Sequence, residues 1–138
     1  MMRFFKTAGI FIFSSLILSG CFPSIGGGTA PHDVEEFVKG GIVQGFPLAL
    51  PYYQNAKIIE SYGRSGNYGA TFVTDDDLAK VVNFYQDAFE KLGWDVTVSG
   101  SGTNFVFDIK NTTNAGSVII NTASDNRRTT ITYSIAPR

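Results

Sequence analysis

Apolar positions along this chain fall into three regimes. Residues 8–18 are apolar or small without one charge, residues 22–53 have no steady period and hold glycines and prolines, and an ordered alternation begins near Lys57. In the third regime residues 57–62 and 68–73 read as a hairpin closed by Gly63-Arg64-Ser65-Gly66-Asn67, with Tyr68, Ala70 and Phe72 on one face. Residues 75–92 carry the strongest helical signal. Leu78, Val81, Val82, Tyr85, Phe89 and Leu92 recur at helical spacing, Thr74 stands as an N-cap with Asp77 three residues on, and Gly93 supplies a left-handed stop. Four strands follow by period-two alternation. Their inward sets are Trp94, Val96 and Val98, then Phe105, Phe107 and Ile109, then positions within 117–122, then Ile131, Tyr133 and Ile135. The short turns between them predict an antiparallel meander, and the polar alternate positions predict a sheet covered on one side only.

Ahead of that core the signals are weaker. Residues 31–41 predict a short helix on which Val34, Phe37 and Val38 share a face, begun by Pro31 and ended by Gly40-Gly41. Residues 46–53 are apolar but interrupted by Pro47 and Pro51, so they are expected to lie extended against the domain rather than inside a sheet. The expected architecture is α+β in the order ββαββββ: an antiparallel sheet covered on one face by a single long helix, preceded by a flexible tether. The division is 1–20 leader, 21–31 tether and 32–138 one folded domain.

Composition narrows the partners. Twelve Phe and six Tyr in 138 residues suffice for a packed core. The formal charge is −1, and removal of Arg3 and Lys6 with the leader would leave nine basic against twelve acidic residues. There is no basic surplus to neutralise phosphates, so nucleic acid is not an expected partner.

The single cysteine cannot close a disulfide within its own chain, so its position decides its chemistry. Arg3 and Lys6 precede the apolar run, which as a helix would span about 16 Å against a hydrocarbon core of about 30 Å. It fits an export signal better than a membrane span. The run ends in Leu18-Ser19-Gly20-Cys21, an aliphatic residue and two small ones before the cysteine. This order resembles the lipobox of bacterial lipoprotein precursors. The resemblance implies cleavage between Gly20 and Cys21, diacylglycerol in thioether linkage on Cys21, and a location at the cell envelope. Phe22, where many Gram-negative lipoproteins retained at the inner membrane carry Asp, implies the outer membrane in such a cell. Residues 22–31, with Gly26-Gly27-Gly28, form a linker whose r.m.s. reach is roughly 17 Å. Leu50-Pro51-x-Tyr53-x-x-Ala56, Phe84-Tyr85 and Gly93-Trp94 also resemble a recurring domain of small bacterial envelope proteins, although Gln54 stands where that pattern has a second proline. That second resemblance implies no activity.

Candidate chemistry is sparse. His32, the only histidine, sits at the edge of the tether, where a general base would lack fixed geometry. With no second histidine and no free cysteine, neither a His/Cys metal site nor a Cys/His nucleophile is expected. Asp75-Asp76-Asp77 could suggest calcium, but no Asp-x-Asp-x-Asp-Gly loop surrounds them; acids in a first helical turn complement the macrodipole. Arg127-Arg128 could meet an anionic headgroup, and a solvated turn explains them as well. Glu60, Asp95 and Asp108 are the strand carboxylates from which a glycan hydrolase would have to be built, and solvated strand positions account for them. Neither a catalytic residue nor a cofactor is expected. Tyr52, Tyr53, Tyr62 and Tyr68 form a candidate interaction patch, since aromatics exceed what one face of a small sheet needs.

The function expected from these features is a lipid-anchored, non-catalytic interaction or accessory module of an envelope complex, with the membrane and another envelope protein as partners. The alternative is a binding protein holding a hydrophobic or glycan ligand between helix and sheet, or on the open sheet face. Mass spectrometry of the native protein should find an amino terminus at Cys21 carrying diacylglycerol, and Cys21→Ser should leave the leader uncleaved. A mature chain with an unmodified thiol would remove the anchor.

Overall fold

The computed structural model describes residues 35–138. Seven strands form one antiparallel sheet: β1 (Glu36–Lys39), β2 (Lys57–Arg64), β3 (Asn67–Thr74), β4 (Asp95–Ser101), β5 (Asn104–Lys110), β6 (Asn114–Thr122) and β7 (Thr129–Pro137). One helix, α1 (Leu78–Leu92), separates β3 from β4. The strand order β1-β2-β3-β7-β6-β5-β4 joins two meanders. The chain leaves the middle of the sheet at β3, crosses its inner face as α1, starts again at the far edge with β4 and works back until β7 pairs with β3. That last pairing runs in unbroken register from Tyr68↔Ile135 to Thr74↔Thr129.

The α+β class and the single covering helix match the sequence expectation, and one strand is added to it. Residues 36–39 are strand rather than helix, paired with β2 from Glu36↔Gly63 to Lys39↔Glu60. A helix of about nine residues is marginal without packing, whereas the edge of β2 offers ready backbone partners. His32 and the leader, cysteine and linker expected at 1–31 lie outside the described residues.

The turn of the first hairpin is tighter than expected. Ser65 and Gly66 alone make it, at φ +50° and +82°, so both strands extend by one or two residues toward it. At its far end β2 carries a bulge between Ile58 and Glu60. Beside the turn, Tyr62 stands opposite Gly69 and Gly63 opposite Tyr68. Each tyrosine ring lies across the glycine facing it: a Cβ on Gly69 would meet the Tyr62 ring at 2.1 Å, and one on Gly63 the Tyr68 ring at 3.0 Å. Side chains alternate along a strand, so Tyr68 covers the inner face of the hairpin and Tyr62 the outer.

Helix α1 begins at Leu78, three residues later than the spacing predicts. Thr74 completes β3, and its Oγ1 accepts the Asp76 N–H at 3.2 Å instead of capping the helix. Asp77 is the N-cap residue but makes no side-chain cap bond, and no acid lies in the first turn. The C-terminus follows expectation, with Gly93 left-handed and its N–H donated to Glu90 O at 3.1 Å. Val81, Val82, Tyr85 and Phe89 are buried, each contributing roughly 2 kcal/mol of gross burial energy. Leu92, expected on the same stripe, is mostly exposed because the helix ends there beyond the sheet.

Fifteen residues of helix cannot cover seven strands. Alpha-helix α1 packs toward β4 and β6, and the remainder of the inner face is covered by residues 41–56, a strap without regular structure. Val43, Phe46, Leu50 and Tyr53 from this strap are buried in the same core as Phe107, Val118, Ile131 and Tyr133. As expected, 46–53 lies against the domain outside the sheet, but it is not extended throughout: a turn at Leu48–Ala49 and a bend at Leu50 interrupt it, and Leu48 points to solvent. Phe46 meets Tyr68 and Tyr133 edge-on at 5.9 and 6.2 Å, and Tyr52 sits 5.9 Å from Phe72.

Polar bonds to the strap decide where it sits. Ser61, fully buried, accepts the Val43 N–H and donates to Gly41 O, both at 2.8 Å. Tyr133 donates to Pro51 O at 2.5 Å. Tyr85 and Tyr133 hydroxyls are 2.5 Å apart. Since a carbonyl only accepts, Tyr133 donates to Pro51 and Tyr85 must donate to Tyr133. Tyr133→Phe would leave Pro51 O without its donor and should cost about 1–3 kcal/mol in urea unfolding, with Tyr85→Phe on a similar scale. Wild-type stability in both would show that the strap is held by packing alone.

Candidate functional site

Two places on the domain combine space with chemistry of their own: the end of the strap at Asp76, and the mouth of the gap between α1 and the β4–β5 hairpin. The Asp76 carboxylate accepts the Tyr53 hydroxyl at 2.7 Å and the Asn55 amide at 3.0 Å on one oxygen, and Lys80 at 2.9 Å on the other. Its carbonyl accepts the hydroxyl of Thr129 in β7 at 2.8 Å. One residue thereby ties together strap, helix and central strand. The Tyr53 hydroxyl, then Lys80 and Asn55, hold the Asp76 carboxyl well below the usual carboxylate range. The acidic triplet is therefore neither a calcium loop nor a first-turn dipole device. Its middle member joins tertiary elements, and all three precede the helix.

At the other place, a groove opens between the first turns of α1 and the β4–β5 hairpin. Leu78 and Val82 on the helix face Phe105 on β5, and Gly102 of the β4–β5 turn closes one end. Ala79, Asn83 and Gln86 make the helical rim, with Asp77 at its start. The groove measures about 630 Å³, within the range of small-molecule sites. Its floor is apolar because the period that builds the core stripe extends to the first turn of the helix, where Leu78 is only partly buried beside the buried Val82. Beside it Val98, expected in the core, is exposed at 40% on the inner face of edge strand β4.

The four tyrosines chosen from the sequence do not make one patch. Tyr53 is buried, Tyr52 within the strap and Tyr68 beneath it are half-buried, and Tyr62 alone stands well exposed, on the opposite face of the sheet. Burial pushes the phenol pKa of Tyr52, Tyr53, Tyr85 and Tyr133 upward, so all four stay protonated through neutral pH. Asp95 and Asp108 lie with Lys110 around a shallow polar depression of about 260 Å³ on the outer face, where Lys110 pairs with Asp95 at 2.9 Å. Glu60 is at the opposite side of the sheet, so the three strand carboxylates are not gathered. Arg128 is bound to Asp125 at 2.6 Å, and the Arg127 N–H, ahead of that guanidinium, lowers the Asp125 carboxyl to about 2. The groove was missed because no single residue in it is unusual. Its one sequence signal is Gly102, in a turn directly before Phe105.

An antiparallel sheet holding one long helix, with an apolar groove at the mouth between them, defines an α+β domain of the helix-on-sheet class. Residues 58–136 match the model of the START domain-like family, more than half of the chain, and the chain belongs to that family. Domains of this family are often modules that bind hydrophobic ligands. The match begins in β2 and ends in β7, so it includes the helix and the groove but neither β1 nor the strap. No curated protein and no solved structure matches the chain.

The depressed Asp76 carboxyl has a defined sign. Because folding lowers its pKa, the ionised group stabilises the fold fully above the ordinary carboxylate value of about 4, and that contribution is lost as pH falls toward the lower folded value. Urea midpoints should drop below about pH 4, and Asp76→Asn should be less stable at pH 7 with a flatter acid limb. Parallel curves for wild type and Asp76→Asn would show that other carboxyls carry the acid transition.

Proposed function

We propose that this protein is a lipid-anchored, non-catalytic binding module of the cell envelope that takes an apolar ligand in the groove between α1 and the β4–β5 hairpin. The observation that carries this reading is the groove itself: Leu78, Val82 and Phe105 form an apolar floor of ligand size, open to solvent, in a family whose members often bind hydrophobic molecules. The membrane attachment rests on Leu18-Ser19-Gly20-Cys21 and the glycine linker. Lipid on Cys21 would hold the domain beside a bilayer, a ready source of apolar molecules. An accessory role in an envelope complex rests on the same leader and tether, and the groove does not bear on it.

The lining also favours one kind of ligand. It carries one acid, Asp77, two amides, Asn83 and Gln86, and no basic side chain. A neutral head could hydrogen-bond the amides, whereas a carboxylate or phosphate would find no cation there. A neutral fluorescent probe, N-phenyl-1-naphthylamine, should bind saturably at one site. Ala79→Trp, on the exposed helix rim, should weaken it roughly tenfold while leaving the unfolding midpoint near wild type, since an exposed helical position tolerates such change. Absence of saturable binding, or binding indifferent to Ala79→Trp, would dismiss the groove as the site.

A further inference from the structure

The two tyrosine–glycine pairs of the first hairpin are equivalent in the strands but not in their surroundings. Tyr68, on the inner face, has its ring against Gly63 on one side and is met by Phe46 of the strap at 5.9 Å. Tyr62, on the outer face, lies against Gly69 in the same way and remains 47% exposed. Covering a glycine in a strand is a structural service that one ring face performs. The rest of the Tyr62 ring is open to solvent. Directly across the ladder stands Phe37 of β1, 61% exposed.

What surrounds these rings is polar and nearly neutral in charge. Arg64 and Glu60 flank Tyr62 two residues away on the same face of β2, and Arg64 also approaches Glu35 at 3.8 Å. Thr71 lies beside Glu60, and Ser134 beside Gly69, with Thr132 and Ser117 next along the ladders. An aromatic pair bordered by hydroxyls, the carboxylates of Glu35 and Glu60, the Lys39 ammonium and the Arg64 guanidinium matches the chemistry of a pyranose. A sugar presents C–H groups on one ring face and hydroxyls around its rim; the C–H face suits the negative face of an aromatic ring, and the rim suits Glu, Arg, Ser and Thr. The near balance of charge disfavours polyanions, and the density of hydroxyls disfavours a buried protein contact.

We propose that the outer face of β1–β3 is a saccharide-binding platform, in which Tyr62 and Phe37 stack under pyranose rings while Glu60, Arg64, Thr71 and Ser134 hydrogen-bond their hydroxyls. It lies on the opposite side of the sheet from the groove, and its failure would leave the apolar-ligand reading untouched.

Calorimetry of the full chain in phosphatidylcholine nanodiscs, titrated with an N-acetylglucosamine tetramer and with maltohexaose, tests it. At least one oligosaccharide should bind saturably. Tyr62→Ala should weaken it roughly fivefold or more and Phe37→Ala roughly twofold, while Tyr62→Phe, which keeps the ring over Gly69, should stay within about twofold of wild type. Tyr62→Ala also uncovers Gly69 and can destabilise the hairpin, so Phe37→Ala, whose side chain is mostly exposed, is the independent arm. Hydroxyl-radical labelling of Tyr62 should fall when sugar is added. The proposal is overturned by the absence of saturable heat with both oligosaccharides, by affinity indifferent to Tyr62→Ala and Phe37→Ala, or by a Tyr62 already shielded before sugar is present, which would assign this face to the bilayer.

Discussion

The hydroxyl of Tyr133 has one direction in which to give its proton, and the arrangement of the inner face follows from it. Donated to Pro51 O, it leaves the Tyr133 oxygen to receive the Tyr85 hydroxyl. A short chain of hydrogen bonds thus runs from helix to central strand to strap. Each group is buried or nearly so, and a buried polar group without its partner costs more than the bond nets. The strap is therefore placed by a demand for satisfaction rather than by a sheet ladder, which its two prolines deny it. Asp76 repeats the same logic at the end of the strap, and Ser61 at its beginning.

This device explains how a short helix serves a wide sheet. Seven strands present far more apolar surface than α1 can cover, and the strap covers the rest with Val43, Phe46, Leu50 and Tyr53. Covering by two pieces leaves a seam wherever one of them runs out. The groove is such a seam, between the start of the helix and the β4–β5 hairpin: Leu78 and Phe105 are only partly buried there, beside the buried Val82. In a family whose domains often bind hydrophobic molecules, that incompletely closed mouth is the place to look for binding.

The outer face obeys the opposite rule. Nothing among the described residues packs across it as a second layer, and its strands carry Thr71, Thr130, Thr132, Ser134 and Ser117, residues that suit a pleated surface in water. Edge strand β1 is only four residues long, which limits its use as a template for unwanted pairing. On this face, where Val73, Val106 and Ile119 are part-buried among the hydroxyls, Phe37 and Tyr62 are paired aromatics that stand well exposed.

What the sequence by itself determined was everything carried by local period and turn chemistry. The helix with its stripe and Gly93 stop, six of the seven strands, the one-sided sheet and the non-sheet character of 46–53 follow from spacing, because a core face must repeat every 3.6 or every 2 residues. Some matters turned on partners distant in the chain, and these only the tertiary structure decided. Residues 36–39 became a strand because β2 had an open edge for them. Thr74 was drawn into β3 and Asp76 into bonds with Tyr53, Asn55 and Thr129, which leaves the N-cap position to Asp77 without a side-chain cap bond. Four tyrosines close in sequence and alike in composition were sent to two faces and three degrees of burial. The groove is likewise invisible along the chain, since a cleft is the space left between elements, and no residue encodes where its neighbours stop.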